Sequence, residues 1–412
     1  MIYGCIGEHL PHSFSKEIHN RIGDYDYILH EIPMGELDAF MEKKDFKAIN
    51  VTIPYKQDVI PHLYFVSEKA KSIGAVNTIV NKDGRLYGYN TDFAGMTDLI
   101  NRIGISLENK KVLILGTGGT SKTANAVAHS MNAKEVITVS RSKTEKFIDY
   151  EEAVTKHTDA EIIINTTPCG MYPNTDGCPI DISLFPSLEG CVDAIYNPLR
   201  TNFISQAKAR GIKAEGGLYM LVAQAVRAYE FFFDTTAEEG LTDKIYDGLS
   251  AEKENIVLTG MPGSGKSTIG KILAEKLNRQ FMDTDELIVK NAGMPITEIF
   301  AQYGEKHFRD LETEAIREAS KYSNAIIATG GGAILRDENV YLLKMNGKIY
   351  FLDRSLEKLL PTDDRPLAKD REAITQRYNE RIDRYNETAD EKVNSDVPAP
   401  EVAADIERRH VK

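Results

Sequence analysis

Lys266 and Ser267 close the run Gly260-Met-Pro-Gly-Ser-Gly-Lys-Ser267, which meets the pattern G-x-x-x-x-G-K-[ST] at every fixed position. These residue types at this spacing do phosphate chemistry. Gly260, Gly263 and Gly265 let the backbone turn its N–H groups inward around phosphate oxygens, and Ser264 and Thr268 complete the cradle. Lys266 supplies a point charge for the β- and γ-phosphates, and Ser267 offers a hydroxyl to Mg²⁺. The apolar run Ile256–Thr259 reads as a strand before the loop, and Ile269–Leu277 as an amphipathic helix after it. A chance glycine-rich turn would need neither. The stretch is therefore expected to bind a nucleoside triphosphate with Mg²⁺.

Other candidates are individually ambiguous. Lys56 follows a strand, Ile49–Ile53, that Pro54 stops; it reads as a solvated charge or as an ammonium at the carboxyl end of a sheet, where ligands gather. Ser13 and Ser15 flank Phe14 ahead of a helical stretch; one of them caps the helix, or both hold a carboxylate. Asn77 and Asp92 lie near the polar ends of a hairpin turning at Lys82-Asp83-Gly84. Gln224 interrupts a mostly apolar helix and reads as a core glutamine with a bonded partner or as a site residue. Asp283 and Asp285 stand at a strand end and need a turn to share one site. Arg309 and Glu312 share a helix face at i, i+3. Three glycines, Gly330–Gly332, end a buried strand where backbone must approach another group closely. Arg365 sits in a polar, proline-flanked segment suited to a lid. Arg381 lies on a charged helix whose simplest use is a surface ion-pair face.

A second strand–loop–helix unit precedes these. Val112–Leu115 leads into Gly116-Thr-Gly118-Gly119-Thr120-Ser121 and a helix over 122–131. The next strand, Glu135–Val139, ends in Ser140-Arg141 where an acidic residue would bind a ribose 2′-OH. An arginine there suits a 2′-phosphate, so NADP(H) is expected over NAD.

These elements define an α/β chain of 412 residues with apolar content of 42%, enough for two or three cores. The net charge of −12 argues against nucleic acid as a partner. No run of about 18 apolar residues suggests a membrane span. The N-terminus lacks the features of a signal peptide, and Cys5, Cys169, Cys178 and Cys191 follow no metal or disulfide spacing, so a cytoplasmic location is expected. A short joint between two halves is expected at residues 250–254.

Taken together, the motifs resemble two families in series. The first half is similar to shikimate dehydrogenase through His12-Ser-Phe-Ser15, Asn50-Val-Thr-Ile-Pro-Tyr-Lys56, Gly74-Ala-Val-Asn-Thr78, Asn90-Thr-Asp92, the loop at 116–121, Asn165-Thr-Thr-Pro-Cys-Gly-Met171, Tyr196-Asn-Pro198 and Gly217-Leu-Tyr-Met-Leu-Val-Ala-Gln224. The second resembles shikimate kinase through the phosphate loop, Asp283-Thr-Asp285, Gly304-Glu-x-x-Phe-Arg309-x-x-Glu312, the three glycines, Arg365-Pro-Leu and Arg381-x-x-x-Tyr385.

The resemblance implies a substrate-binding domain over 1–94 completed by 216–249, a Rossmann domain for NADP over 95–215, and a P-loop kinase domain with a parallel sheet over 250–412. It implies NADPH-dependent reduction of 3-dehydroshikimate to shikimate, followed by phosphorylation with ATP. Lys56 and Asp92 would be the acid/base pair. Ser13, Ser15, Thr52, Asn77, Tyr196 and Gln224 would bind substrate, and Gly116, Gly118, Gly119, Thr120, Ser121 and Arg141 would hold NADP. In the kinase, Asp285, Lys266 and Arg365 would be catalytic; Arg309, Gly331 and Arg381 would bind shikimate; Ser267 and Asp283 would serve Mg²⁺. Ser140 and Glu145 depart from the more basic pattern common beside the NADP arginine. A quinate-type dehydrogenase in the first half, or a regulatory protein derived from both domains, are the alternatives.

Overall fold

A computed structural model describes residues 2–10, 14–359 and 371–410. The chain forms two compact units, Met1–Leu249 and Ser250–Lys412.

The first unit holds two sheets. Strands β1 (Tyr3–Gly7), β2 (Tyr27–Glu31), β3 (Ala48–Val51), β4 (Phe65–Val66), β5 (Thr78–Lys82) and β6 (Arg85–Tyr89) pair in the order β2-β1-β3-β5-β6-β4. The first three run parallel, whereas β5 is antiparallel to both β3 and β6. The hairpin turns at Asp83 and Gly84, both at positive φ (54° and 80°), the two-residue geometry that matches strand twist.

The second sheet is all parallel. It contains β7 (Lys111–Leu115), β8 (Glu135–Ser140), β9 (Ile148–Asp149), β10 (Ile162–Asn165), β11 (Gly190–Asp193) and β12 (Lys213–Glu215), in the order β12-β11-β10-β7-β8-β9. Val112–Leu115 and Ile162–Ile164 are fully buried, which explains their unbroken apolar runs. The direction of strand order reverses between β7 and β10, the place where such sheets open a crevice for ligand.

The helix Leu218–Phe233 returns to the first sheet, placing Ala228 and Phe232 against Cys5, Tyr27, Ala48 and Val80. It also crosses the helix Asp92–Arg102 so closely that a Cβ on Gly95 would lie 2.6 Å from the Met220 carbonyl oxygen. That approach holds Gln224 beside the start of the second helix.

The second unit is a five-stranded parallel sheet of β13 (Asn255–Thr259), β14 (Gln280–Asp283), β15 (Ala325–Ala328), β16 (Gly347–Asp353) and β17 (Glu391–Asn394), in the order β14-β15-β13-β16-β17. The phosphate loop follows the central strand. Among the described residues no helix is long and apolar enough to cross a membrane.

The joint expected at 250–254 is mostly helical. One helix, Leu241–Lys253, continues through it, because its terminal carbonyls find donors. Arg279 donates to Ala251 O at 3.0 Å and to Glu254 O at 2.8 Å, and His410 Nε2 faces Ala251 O at 2.9 Å.

His410 Nε2 also lies 3.3 Å from Arg279 Nη1, and its Nδ1 3.2 Å from the Tyr350 hydroxyl. Burial first, then the Arg279 charge, lowers its pKa from the ordinary 6.5 to about 4. An unfolded His410 gains a proton as pH falls below 6.5, while the folded one refuses it until about pH 4. Its contribution is thus complete above pH 6.5 and lost on acidification through that window, at up to ~1.4 kcal/mol per pH unit. His410→Gln, which keeps a donor for Ala251, should flatten the acid-side loss of stability. Urea unfolding followed by circular dichroism between pH 7 and 4.5 measures this, and equal slopes in the two proteins would refute it.

Candidate active sites

In the first unit, Lys56 Nζ lies 2.6 Å from Asp92 Oδ2, although 36 residues separate them. Lys56 follows β3 and is fixed by its own carbonyl, which accepts from Val76 N at 2.8 Å. Asp92 opens the helix Asp92–Arg102, where the N-terminal end favours a carboxylate. The side chains are 19% and 12% exposed, so the pair is sheltered yet reachable from solvent. The solvated-charge reading of Lys56 is thereby set aside.

A buried polar network surrounds the pair. Asn77 Oδ1 accepts from Thr91 N at 2.7 Å, and Asn77 Nδ2 donates to Thr91 Oγ1 at 3.0 Å. Thr91 Oγ1 also donates to Gln224 Oε1 at 3.3 Å, across 133 residues. Below it, Asn50 accepts from Tyr27 OH at 2.7 Å and donates to Asn77 O at 3.3 Å. Thr52 packs its methyl against Gly7, where a Cβ would stand only 2.7 Å away. Tyr196 is half-buried beside Phe14, ring centroids 5.3 Å apart, and burial raises its hydroxyl pKa. Ser15 is the first residue of the helix Ser15–Ile22, and the capping position falls to Phe14, which makes no side-chain cap bond. Ser13 lies outside the described residues.

The loop after β7 is shaped to admit a dinucleotide. Gly116 has φ +106° and presses on β10's end, where a Cβ would meet Thr166 Oγ1 at 2.9 Å. By contrast, a Cβ on Gly118 or Gly119 would meet nothing within 4 Å, so the N-terminus of the helix Gly119–Ser130 is open to a phosphate. Thr120 lies in that first turn, and Ser121 is buried with its carbonyl accepting from Asn125. Arg141 stands exposed one residue beyond β8, and Gly116 N donates to Val139 O of that strand at 2.8 Å. Lys143, close by, is paired with Glu152. These residues fit NADP.

In the second unit Gly260, Gly263 and Gly265 all take positive φ (145°, 82° and 95°). Lys266 Nζ donates to Gly260 O at 2.8 Å and Met261 O at 3.0 Å, so its charge lies inside the loop. Ser264 Oγ is buried and makes no hydrogen bond among the described residues. Ser267 Oγ donates to Asp283 Oδ2 at 2.7 Å; Thr268 continues the helix Lys266–Leu277. Among the described residues no three His, Cys, Asp or Glu side chains converge. A Mg²⁺ held by Ser267 and Asp283 would take its remaining ligands from phosphate and water, in keeping with its octahedral preference.

The strand-to-helix turn after β14 places Asp283 at the cap of the next helix and Asp285 in its first turn. Asp283 caps the helix Thr284–Ala292 by accepting from Asp285 N at 3.0 Å. Asp285 and Glu312 meet at Gly330, where a Cβ would fall 2.7 and 2.8 Å from their oxygens. Arg309 is bonded to Glu312 at 2.8 Å and to Glu305 at 3.0 Å. Burial raises the Glu312 pKa, with Asp285 adding and Arg309 opposing. Arg381 is not a surface ion-pair residue: it is 3% exposed, and its Nη1 donates to Gly331 O at 2.9 Å. Tyr385 OH donates to the same carbonyl at 2.5 Å. Arg365 lies outside the described residues.

Sequence reasoning overlooked Thr91 as the hub joining Asn77 to Gln224; its place directly before Asp92 was the available signal.

Comparison with known proteins finds a family match in each unit. The shikimate kinase family profile matches residues 262–409, and that of the shikimate dehydrogenase substrate binding domain matches residues 5–79. The NADP(+)-dependent shikimate dehydrogenase of Clostridium perfringens (strain 13 / Type A) is 38% identical over 270 residues, spanning 60% of this chain and 98% of that protein. A crystal structure of shikimate dehydrogenase 1 from Peptoclostridium difficile superposes with TM-score 0.56 at 36% identity, covering 60% of this chain and 97% of that one. The Thermus thermophilus enzyme, solved in complex with NADP(H) and shikimate, gives TM-score 0.54 at 27% identity, covering 60% and 98%. The chain therefore belongs over its first half to the shikimate dehydrogenase family and carries a shikimate kinase domain behind it, which makes it a bifunctional shikimate-pathway enzyme using NADP, ATP and Mg²⁺.

Proposed function

We propose that the chain reduces 3-dehydroshikimate to shikimate and then phosphorylates shikimate on its 3-hydroxyl, through the residues assembled above. The reading rests on one observation above all: the Lys56–Asp92 contact of 2.6 Å beside the Asn77–Thr91–Gln224 network. NADPH, when bound on the loop from Gly116 to Ser121 with Arg141 at its 2′-phosphate, supplies the hydride. Lys56 gives its proton to the ketone oxygen as that oxygen becomes an alcohol, and Asp92 holds the ammonium in place. Ser13 and Ser15 bind the substrate carboxylate. Thr52, Asn77, Tyr196 and Gln224 fix the ring, each with its position set by packing or hydrogen bonds.

In the kinase the substrate hydroxyl oxygen attacks the γ-phosphorus, the bond to the bridging oxygen breaks, and ADP leaves. Asp285 accepts the hydroxyl proton. Arg309 and Arg381 clamp the shikimate carboxylate, a task that suits planar guanidinium forks. Gly331 meets the ring through its backbone, its carbonyl already anchored by Arg381 and Tyr385. Lys266 and Arg365 offset charge on the transferred group, and Ser267 and Asp283 serve Mg²⁺. Small molecules are the partners in this reading, with neither nucleic acid nor membrane involved. A cytoplasmic location fits four cysteines that stand as free thiols.

One incubation tests the whole. With 3-dehydroshikimate, NADPH and MgATP, mass spectrometry should show shikimate and then shikimate 3-phosphate. Omitting ATP should stop the sequence at shikimate. A product of unchanged mass, or phosphorylation of the ketone itself, would overturn the order.

A further inference from the structure

Arg354 stands one residue beyond β16, and its Nη1 lies 4.0 Å from where a Cβ on Gly265 would sit. Its Nε is buried and has no hydrogen-bond partner. Among the described residues the nearby carboxylates make their bonds elsewhere, although the Arg354 charge helps hold the Asp396 carboxyl below its usual range. Asp353 pairs with Lys392 at 2.9 Å, while Asp396 accepts from Ser355 N at 2.9 Å and faces Lys358. A guanidinium left so, at the rim of a phosphate loop, is unusual because an unmet buried donor costs stability.

The sheet order says which end of a nucleotide this group would meet. Asp283 ends β14, and Asp285 meets Glu312 at Gly330 beyond β15, so the transferred phosphate must point to that side of β13. Arg354 stands on the opposite side, beyond β16, next to Gly265 and the N-terminus of the helix Lys266–Leu277. Lys266 already serves the β/γ end. We propose that Arg354 binds the nucleoside end of the triphosphate, donating from Nη1, the atom that faces Gly265, to an oxygen of the α-phosphate. The inference rests on the kinase reading of this loop.

The test is the ATP affinity of the full chain, measured by titration calorimetry without shikimate, for wild type, Arg354→Ala and Arg354→Lys. A charge-assisted hydrogen bond predicts that Arg354→Ala weakens ATP about 10- to 100-fold, with Arg354→Lys falling between. The ratio of ATP to GTP affinity should stay constant, because the contact is to phosphate. Without nucleotide, the melting temperature of Arg354→Ala should stay close to that of wild type, since among the described residues the Nε has no partner to lose and only the charge attraction to Asp396 goes; a structural arginine would lower it. ATP affinity within twofold of wild type in Arg354→Ala would overturn the inference. A changed ATP-to-GTP ratio would overturn the phosphate assignment and point to the base. Failure of wild type to bind ATP would instead sink the kinase reading, and this inference with it.

Discussion

Lys56→Ala should lower kcat for reduction about 10³-fold or more while phosphorylation of added shikimate stays near wild type. General acid catalysis by a placed side chain contributes about 10²–10⁴-fold, and the change also leaves Asp92 without its 2.6 Å partner. The carboxylate can bear this, because it opens a helix whose N-terminal end favours negative charge. The expected loss is thus in kcat, with the substrate network of Asn77, Thr91 and Gln224 intact and KM little changed. Lys56→Arg should not restore activity. A guanidinium keeps its proton at any working pH, so it cannot act as the acid that cycles. The two activities measured in the same preparation give the answer, since each is a control for the other. Reduction within tenfold of wild type would remove Lys56 from the chemistry.

Asp285→Asn should do the converse: phosphorylation falls about 10²–10⁴-fold and reduction is untouched. Asparagine has the same shape, so the backbone bond from residue 285 N to Asp283 Oδ1 should survive, and with it the hydroxyl–carboxylate pair of Ser267 and Asp283. ATP affinity should therefore hold while kcat collapses. A second effect follows from the shared site at Gly330. The Asp285 charge is one of the causes that raise the Glu312 pKa, so its removal should favour the ionised Glu312 that holds Arg309. Shikimate binding should then be kept or slightly strengthened, and calorimetry on the inactive variant would show it. Unchanged kcat, or ATP affinity lost together with kcat, would refute the assignment of Asp285 as the proton acceptor.

Much of this was legible in the sequence because local rules dictate it. The phosphate loop, its strand and its helix follow from glycine placement and apolar period within one short window. The central strands β7, β10 and β13 are apolar on both faces and announce themselves without context. The motif series, taken in order, carried both families and their cofactors. Edge strands escaped. β2, β12 and β17 are short and largely exposed or polar, as in Glu391-Lys-Val-Asn394, where only Val393 is buried. Such segments become strands through the neighbour they pair with, not through their own propensity.

Tertiary structure alone decided the meetings across the chain. Spacing left Lys56 ambiguous until β3 and the helix from Asp92 met at 2.6 Å. Gln224 is a site neighbour rather than a plain core residue because Gly95 lets two helices touch, which sets Thr91 within reach. Arg381 left the surface because Gly331 offers a buried carbonyl 50 residues away. The expected joint became helix because Arg279 and His410 supply donors to its last carbonyls. Arg354 carried no motif at all, and only the order of strands around β13 places it beside the loop. In each case a residue's type fixed what it could do, and the non-local packing that no short window contains fixed what it meets.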